Sequence, residues 1–115
     1  MQKNILYHNP NCSKSRQTLD LMKEKGITAE IVEYLKTPPS AEEIADICTK
    51  LGIEPTSIIR TKEAQELGLN PADNKDAKEW FAILNKQPVL LERPILVYNG
   101  KAAVGRPPEN ILNII

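Results

Sequence analysis

Cysteine, histidine and the larger aromatics are all scarce in this 115-residue chain, which has two Cys, one His, one Trp and one Phe. Two cysteines exclude the disulfide framework on which small secreted domains depend. An excess of either charge is also lacking: Lys+Arg and Asp+Glu number 15 each, for a formal net charge of zero. A binder of nucleic acid or of a membrane surface normally carries a basic excess, so neither partner is expected. Long apolar runs are missing too. The longest are short stretches such as Ile95 to Tyr98, far below membrane-spanning length. Met1 to Asn4 leads directly into a strand-like run without a signal-peptide core. These absences together predict one soluble domain in a reducing cytoplasm. Arginine is the last scarcity, because eleven of the basic residues are Lys and only Arg16, Arg60, Arg93 and Arg106 are Arg. Lysine suits a solvated surface, whereas a guanidinium offers a rigid fork to an oxyanion, so the position of each arginine matters.

What is present reads as β-α-β, then helices, then β-β-α. Lys3 to His8 carries Ile5-Leu6-Tyr7 and stops at the Asn9-Pro10 turn signal, as a buried strand does. Ser13 to Lys25 has Thr18, Leu19 and Met22 at helical spacing and ends at Gly26. Glu30 to Leu35 alternates as a second strand, and a strand–helix–strand crossover implies parallel pairing. Thr37-Pro38-Pro39 closes that unit. Ser40 and Glu43 have capping-box spacing for a helix through Ile44, Ile47 and Leu51, stopped by Gly52. Shorter helices are predicted at Pro55 to Arg60 and near Glu63 to Leu67, and a stronger one from about Lys75 to Lys86. The helical stretch, about residues 40–86, is expected to be an insertion in a single domain, since no flexible linker bounds it. Pro94 to Tyr98, the Asn99-Gly100 hairpin signal and Lys101 to Val104 predict two paired strands. Pro107-Pro108 opens a terminal helix.

Cys12 falls where the first strand hands over to the first helix. Helix N–H groups and the positive end of the dipole lower a thiol's pKa there and attract anions. Lys14 and Arg16 add to this if their side chains turn inward. The position of a CxxC resolving cysteine holds Ser15, which cannot close a disulfide but offers a hydroxyl to the thiolate. His8, the one histidine, precedes the turn that carries Cys12 and is placed either to raise the local positive potential or relay a proton, or to sit solvated at the strand end. Cys48 lies among apolar residues of its helix and reads as structural. Arg60, Arg93 and Arg106 each fall near the end of an element. Arg93 and Arg106 precede proline, which stiffens both positions, and X-Pro bonds such as the one to Pro94 are open to the cis form. Three convergent guanidiniums would bind an oxyanion strongly.

The run Tyr7 to Arg16, with Tyr34 to Pro39, Ile59-Arg60, Glu92 to Ile95 and Val104 to Pro108, resembles the glutaredoxin-coupled arsenate reductases in their short chromosomal form. Ser13-Lys14 stands where the best-known plasmid-type members have Gly-Thr. The resemblance implies a thioredoxin-like α/β fold: a mixed four-stranded sheet flanked by helices, with a helical insertion between the second and third strands. It further implies that Cys12 attacks arsenate, that Arg60, Arg93 and Arg106 bind the oxyanion, and that His8 and Ser15 assist the thiolate. Glutathione as co-substrate and glutaredoxin as partner would supply electrons, with no bound cofactor or metal, in a cytoplasmic monomer. Two other functions belong to the same scaffold: a glutathione-dependent thiol reductase with another substrate, and a non-catalytic regulator that binds RNA polymerase. The regulator usually carries the CxxC pair that Ser15 breaks.

Overall fold

The computed structural model describes residues 4–73 and 75–115. Four strands form one sheet: β1 (Ile5–His8), β2 (Glu30–Glu33), β3 (Ile95–Tyr98) and β4 (Lys101–Val104), in the order β2-β1-β3-β4. Strand β1 pairs parallel to β2, from Ile5 with Glu30 to His8 with Glu33. It pairs antiparallel to β3, which in turn pairs antiparallel to β4. The two central strands carry the continuous apolar runs, Ile5-Leu6-Tyr7 and Ile95-Leu96-Val97. The edge strand β2 leaves Glu30 and Ile31 exposed. Asn99 and Gly100 take φ of 51° and 80°, the left-handed pair that a two-residue β3–β4 hairpin requires. This is the mixed sheet of a thioredoxin-like fold. The expected strand start at Lys3 lies outside the described residues.

Helix α1 (Ser13–Glu24) links β1 to β2 and makes the parallel crossover. Its buried stripe is Ser15, Thr18 and Met22, so two of its three inward positions are polar. Met22 joins Leu6, Leu96 and Ile111 in a core onto which Leu19, Ile27 and Tyr98 pack. Strand β2 is shorter than the alternation predicts. Lys36 and Thr37 both donate their backbone N–H to Glu33 O, closing a turn that takes Tyr34 and Leu35 out of the strand. The terminal helix is a 3-10 helix, Pro108–Ile114, held to the strand by Asn110, whose Nδ2 donates to Val104 O and Arg106 O.

The chain divides into two compact units: Met1–Thr37 with Arg93–Ile115, which holds the sheet, and Pro38–Glu92. The second unit is helical. Helix α2 (Ala41–Leu51) begins with the full capping box, Ser40 with Glu43, and ends at Gly52 in the left-handed region. A 3-10 turn at Pro55–Ile58 and the short helix α3 (Thr61–Glu66) follow. Helix α4 (Ala77–Lys86) starts two residues later than expected, because the Asp76 side chain accepts the Glu79 N–H and so caps it. Ile44, Ile47, Ile58, Trp80, Leu84 and Leu90 are buried in this unit. Two features had no sequence signal: a 3-10 turn at Pro88–Leu90, and a single antiparallel bridge between Ile59 and Leu91.

Candidate active site around Cys12

Cys12 is the N-cap of α1, so its side chain stands at the helix end where N–H groups lack intrahelical acceptors. It is half-buried. Burial alone raises its pKa, but the net result is a thiol below its ordinary value. The Ser15 backbone N–H, the Arg93 guanidinium, the Lys14 backbone N–H and the Arg106 charge all favour the thiolate. Neither N–H closes a cap bond of standard geometry, so their effect is that of dipoles aimed at the sulfur.

The arginines reach Cys12 from the far end of the chain. Arg106, just after β4, donates from Nη2 to Cys12 Sγ at 3.4 Å, and its Nε donates to Arg93 O at 2.7 Å. One guanidinium thus bridges the sulfur and the backbone of the residue that carries the other. The Arg93-Pro94 and Arg106-Pro107 bonds are both cis. Behind Arg106, Gly105 lies so close to α1 that a Cβ there would stand 2.6 Å from Thr18 Oγ1 and 2.9 Å from Pro94 Cγ. Gly105 N–H donates to Pro94 O at 2.9 Å, which ties the two arginine-bearing corners together.

Ser15 and His8 form a second layer, arranged differently from the expectation. Ser15 is fully buried, and its Oγ lies 2.6 Å from His8 Nδ1 while accepting the Asn9 N–H at 3.0 Å. The hydroxyl therefore serves His8 and Asn9, and what Ser15 offers Cys12 is its backbone N–H. Burial holds His8 below its ordinary pKa; the Glu33 carboxylate opposes this and the Arg16 charge adds to it. Burial disfavours the charged ring, and a neutral imidazole without hydrogen on Nδ1 can accept the hydrogen bond of the Ser15 hydroxyl there, which makes His8 a brace for the turn. Lys14 and Arg16 are exposed, and Arg16 Nη1 donates to Pro10 O at 2.9 Å. The charges acting on the thiol come from Arg93 and Arg106 instead.

Arg60 belongs to the helical unit, at the N-cap of α3. Its N–H donates to Leu90 O at 2.7 Å, its Nε pairs with Glu63, and its Nη1 lies 3.7 Å from Glu92. Cys48 is buried on α2, and burial with the Glu54 charge pushes its thiol up to about 11, the environment of an inert cysteine. Among the described residues no cluster of His, Cys, Asp and Glu could hold a metal ion. No described helix is long and apolar enough to cross a membrane.

Two residues at the site were not singled out from sequence. Asn9 is buried and its Oδ1 accepts the Asn11 N–H at 3.0 Å, shaping the turn before Cys12. Tyr34 is buried beside Arg93 and Asn9. The Asn9-Pro10 turn signal could have pointed to the first, and the Tyr34 to Pro39 run, one of those that carry the family resemblance, to the second.

Comparison with known proteins follows the same outline. Residues 7–114 match the ArsC family. The chain is 51% identical over 110 residues to an arsenate reductase of Neisseria meningitidis, covering 92% of both chains. It is 46% identical over 112 residues to an uncharacterized protein of Escherichia coli, YfgD, covering 96% of this chain and 94% of that one. The structure of an arsenate reductase from Vibrio cholerae superposes with a TM-score of 0.89 at 43% identity, covering 97% of each chain.

Proposed function

The chain belongs to the ArsC family, and from that premise we propose that it reduces arsenate to arsenite through a Cys12 thiolate, with glutathione and glutaredoxin as the electron source. The observation that carries the reading is the approach of Arg106 Nη2 to within 3.4 Å of Cys12 Sγ, with Arg93 beside the same sulfur at a helix N-terminus. Such a site favours the thiolate and, in the same field, an incoming tetrahedral dianion. Relatives bearing the arsenate reductase name support the choice of anion.

In the proposed cycle the Cys12 thiolate attacks arsenic, and an arsenate oxygen leaves as water after protonation. The guanidiniums of Arg93 and Arg106 stabilise the charge that builds on the remaining oxygens; the third arginine role goes to Arg60 by the family resemblance alone. Glutathione then adds its thiol to arsenic, releasing a second water. A glutaredoxin thiolate attacks the glutathione sulfur, leaving a mixed disulfide, and the electron pair of the broken arsenic–sulfur bond stays on arsenic. Arsenic is thereby reduced from pentavalent to trivalent as two thiols are oxidised. Water releases arsenite and restores Cys12. Ser15 in the place of a resolving cysteine fits this scheme, because both electrons come from outside the chain. His8 and Ser15 hold the turn and the start of α1 that carry the nucleophile.

The test is arsenate-dependent NADPH oxidation coupled through glutathione, glutaredoxin and glutathione reductase. Turnover is expected in the wild type, none in Cys12→Ser, and at least about tenfold less kcat/KM in Arg93→Ala, the loss of one charge-assisted contact. A wild type that is inert with arsenate while Cys12 alkylates as a thiolate would instead favour a thiol reductase with another substrate.

A further inference from the structure

Tyr34 is 1% exposed, and no hydrogen bond of normal geometry reaches its hydroxyl among the described residues. A buried hydroxyl without a closed bond works against the fold, and a phenyl ring of the same shape would avoid that. Its surroundings are specific. The polar groups acting on the hydroxyl are the Arg93 guanidinium and the Asn9 side chain, and the Cys12 sulfur lies close enough for its charge to act on the phenol. Arg93 in turn donates toward Cys12. The guanidinium therefore has the sulfur and the phenol oxygen as neighbours. It has donors only, so the one role open to the phenol oxygen towards it is that of acceptor. Asn9 is held independently, by its Oδ1 on Asn11 N–H and its backbone N–H on Ser15 Oγ. Burial raises the phenol's pKa, so the group meets Arg93 as a neutral dipole and leaves the arginine's charge undiminished.

We propose that Tyr34 is a positioning residue: its buried hydroxyl, which closes no bond of its own, presents an acceptor dipole beside the Arg93 guanidinium and biases the direction in which that arginine faces Cys12 and an anion bound there. The turn that closes after β2, with Lys36 N–H and Thr37 N–H on Glu33 O, takes Tyr34 out of the strand, and Arg93 acts on its phenol there. The proposal rests on the oxyanion reading of the Cys12 site but not on arsenate as the substrate.

The test uses the full chain with Tyr34→Phe, Arg93→Ala and the double variant. The readout is site-specific alkylation of Cys12 by iodoacetamide across pH, with and without sulfate or arsenate as protecting anion. Tyr34→Phe is expected to keep or raise Tm, since the hydroxyl closes no bond, while shifting the Cys12 alkylation midpoint upward and weakening anion protection severalfold. In the Arg93→Ala background the same substitution is expected to change neither quantity further, since the two act as one unit. Unchanged alkylation and protection in Tyr34→Phe, or an equal loss with and without Arg93, would overturn the assignment. A lower Tm with an unshifted midpoint would overturn it too, leaving a purely structural tyrosine. A chain that shows the Tyr34 effect but never turns over arsenate retains this inference and loses the arsenate reading.

Discussion

Cys12 and Cys48 show how far two identical side chains can be driven apart by what surrounds them. Helix N–H groups and two guanidiniums pull Cys12 below the ordinary thiol value, while burial and Glu54 push Cys48 up to about 11. Near neutral pH, iodoacetamide is therefore expected to label Cys12 and leave Cys48 intact in the folded chain, read by peptide mass spectrometry. Arg106→Ala is expected to slow that labelling at neutral pH by raising the Cys12 midpoint. The linkage has opposite signs at the two thiols. The lowered Cys12 pKa stabilises the fold above the ordinary thiol value, and this is lost as pH falls through the folded value. The raised Cys48 pKa stabilises below the ordinary value, and this is lost as pH rises through about 11. Gly105 is the other residue with a sharp expectation. A Cβ there meets Thr18 Oγ1 and Pro94 Cγ at distances no packed structure tolerates. Gly105→Ala should cost about 1–3 kcal/mol in urea unfolding, an overpacking penalty, with part recovered when Thr18→Ala is added.

At the scale of the element, the ends of helices carry more information than their middles. Helix α2 starts at a reciprocal cap, with Glu43 N–H on Ser40 Oγ and Ser40 N–H on Glu43 Oε1. Ser40→Ala is expected to lower stability by about 1 kcal/mol with the helix content otherwise retained, measured by circular dichroism during urea unfolding. Both this start and the Asn99-Gly100 hairpin were legible because the signal is local: the donors, acceptors and φ preferences lie within four residues of one another. The inward face of α1 was only partly legible. Met22 is the apolar anchor that the spacing predicts, but Leu19 is only half-buried, and Ser15 and Thr18 take the deeper positions. Thr18 Oγ1 donates to Lys14 O on its own helix, and Ser15 Oγ engages His8 and Asn9, so both polar groups are satisfied where the pattern alone would place hydrocarbon. The terminal segment shows the same limit: its apolar spacing fits an α-helix, yet it is 3-10 throughout.

For the whole molecule, stability should respond to its single histidine. His8 is held below its ordinary pKa, so near pH 6 the unfolded chain binds more protons than the folded one. Stability is thus expected to be full above the ordinary histidine value and to fall as pH drops below it. Urea midpoints at about pH 7 and 5.5 should separate more in the wild type than in a His8→Gln variant. The core of the sheet-bearing unit is Leu6, Met22, Leu96 and Ile111, each at most 1% exposed. Leu96→Ala is expected to cost about 2–5 kcal/mol, because a fully enclosed site on a central strand can collapse little around the void.

The sequence by itself determined the order of elements, the parallel opening, the hairpin, the caps and the placement of Cys12 at a helix N-terminus. Each depends on groups a few residues apart, and their chemistry is the same in any fold that contains them. Tertiary structure decided which arginines face that cysteine. Arg106 is 94 positions from Cys12, and it arrives only because β1, β3 and β4 pair in one sheet and Gly105 passes close against α1. It also decided that the Ser15 hydroxyl turns to His8, and that Tyr34 leaves its strand to lie beside Arg93. These contacts join segments distant along the chain, so they are set by strand register and packing, which no local pattern of residues contains.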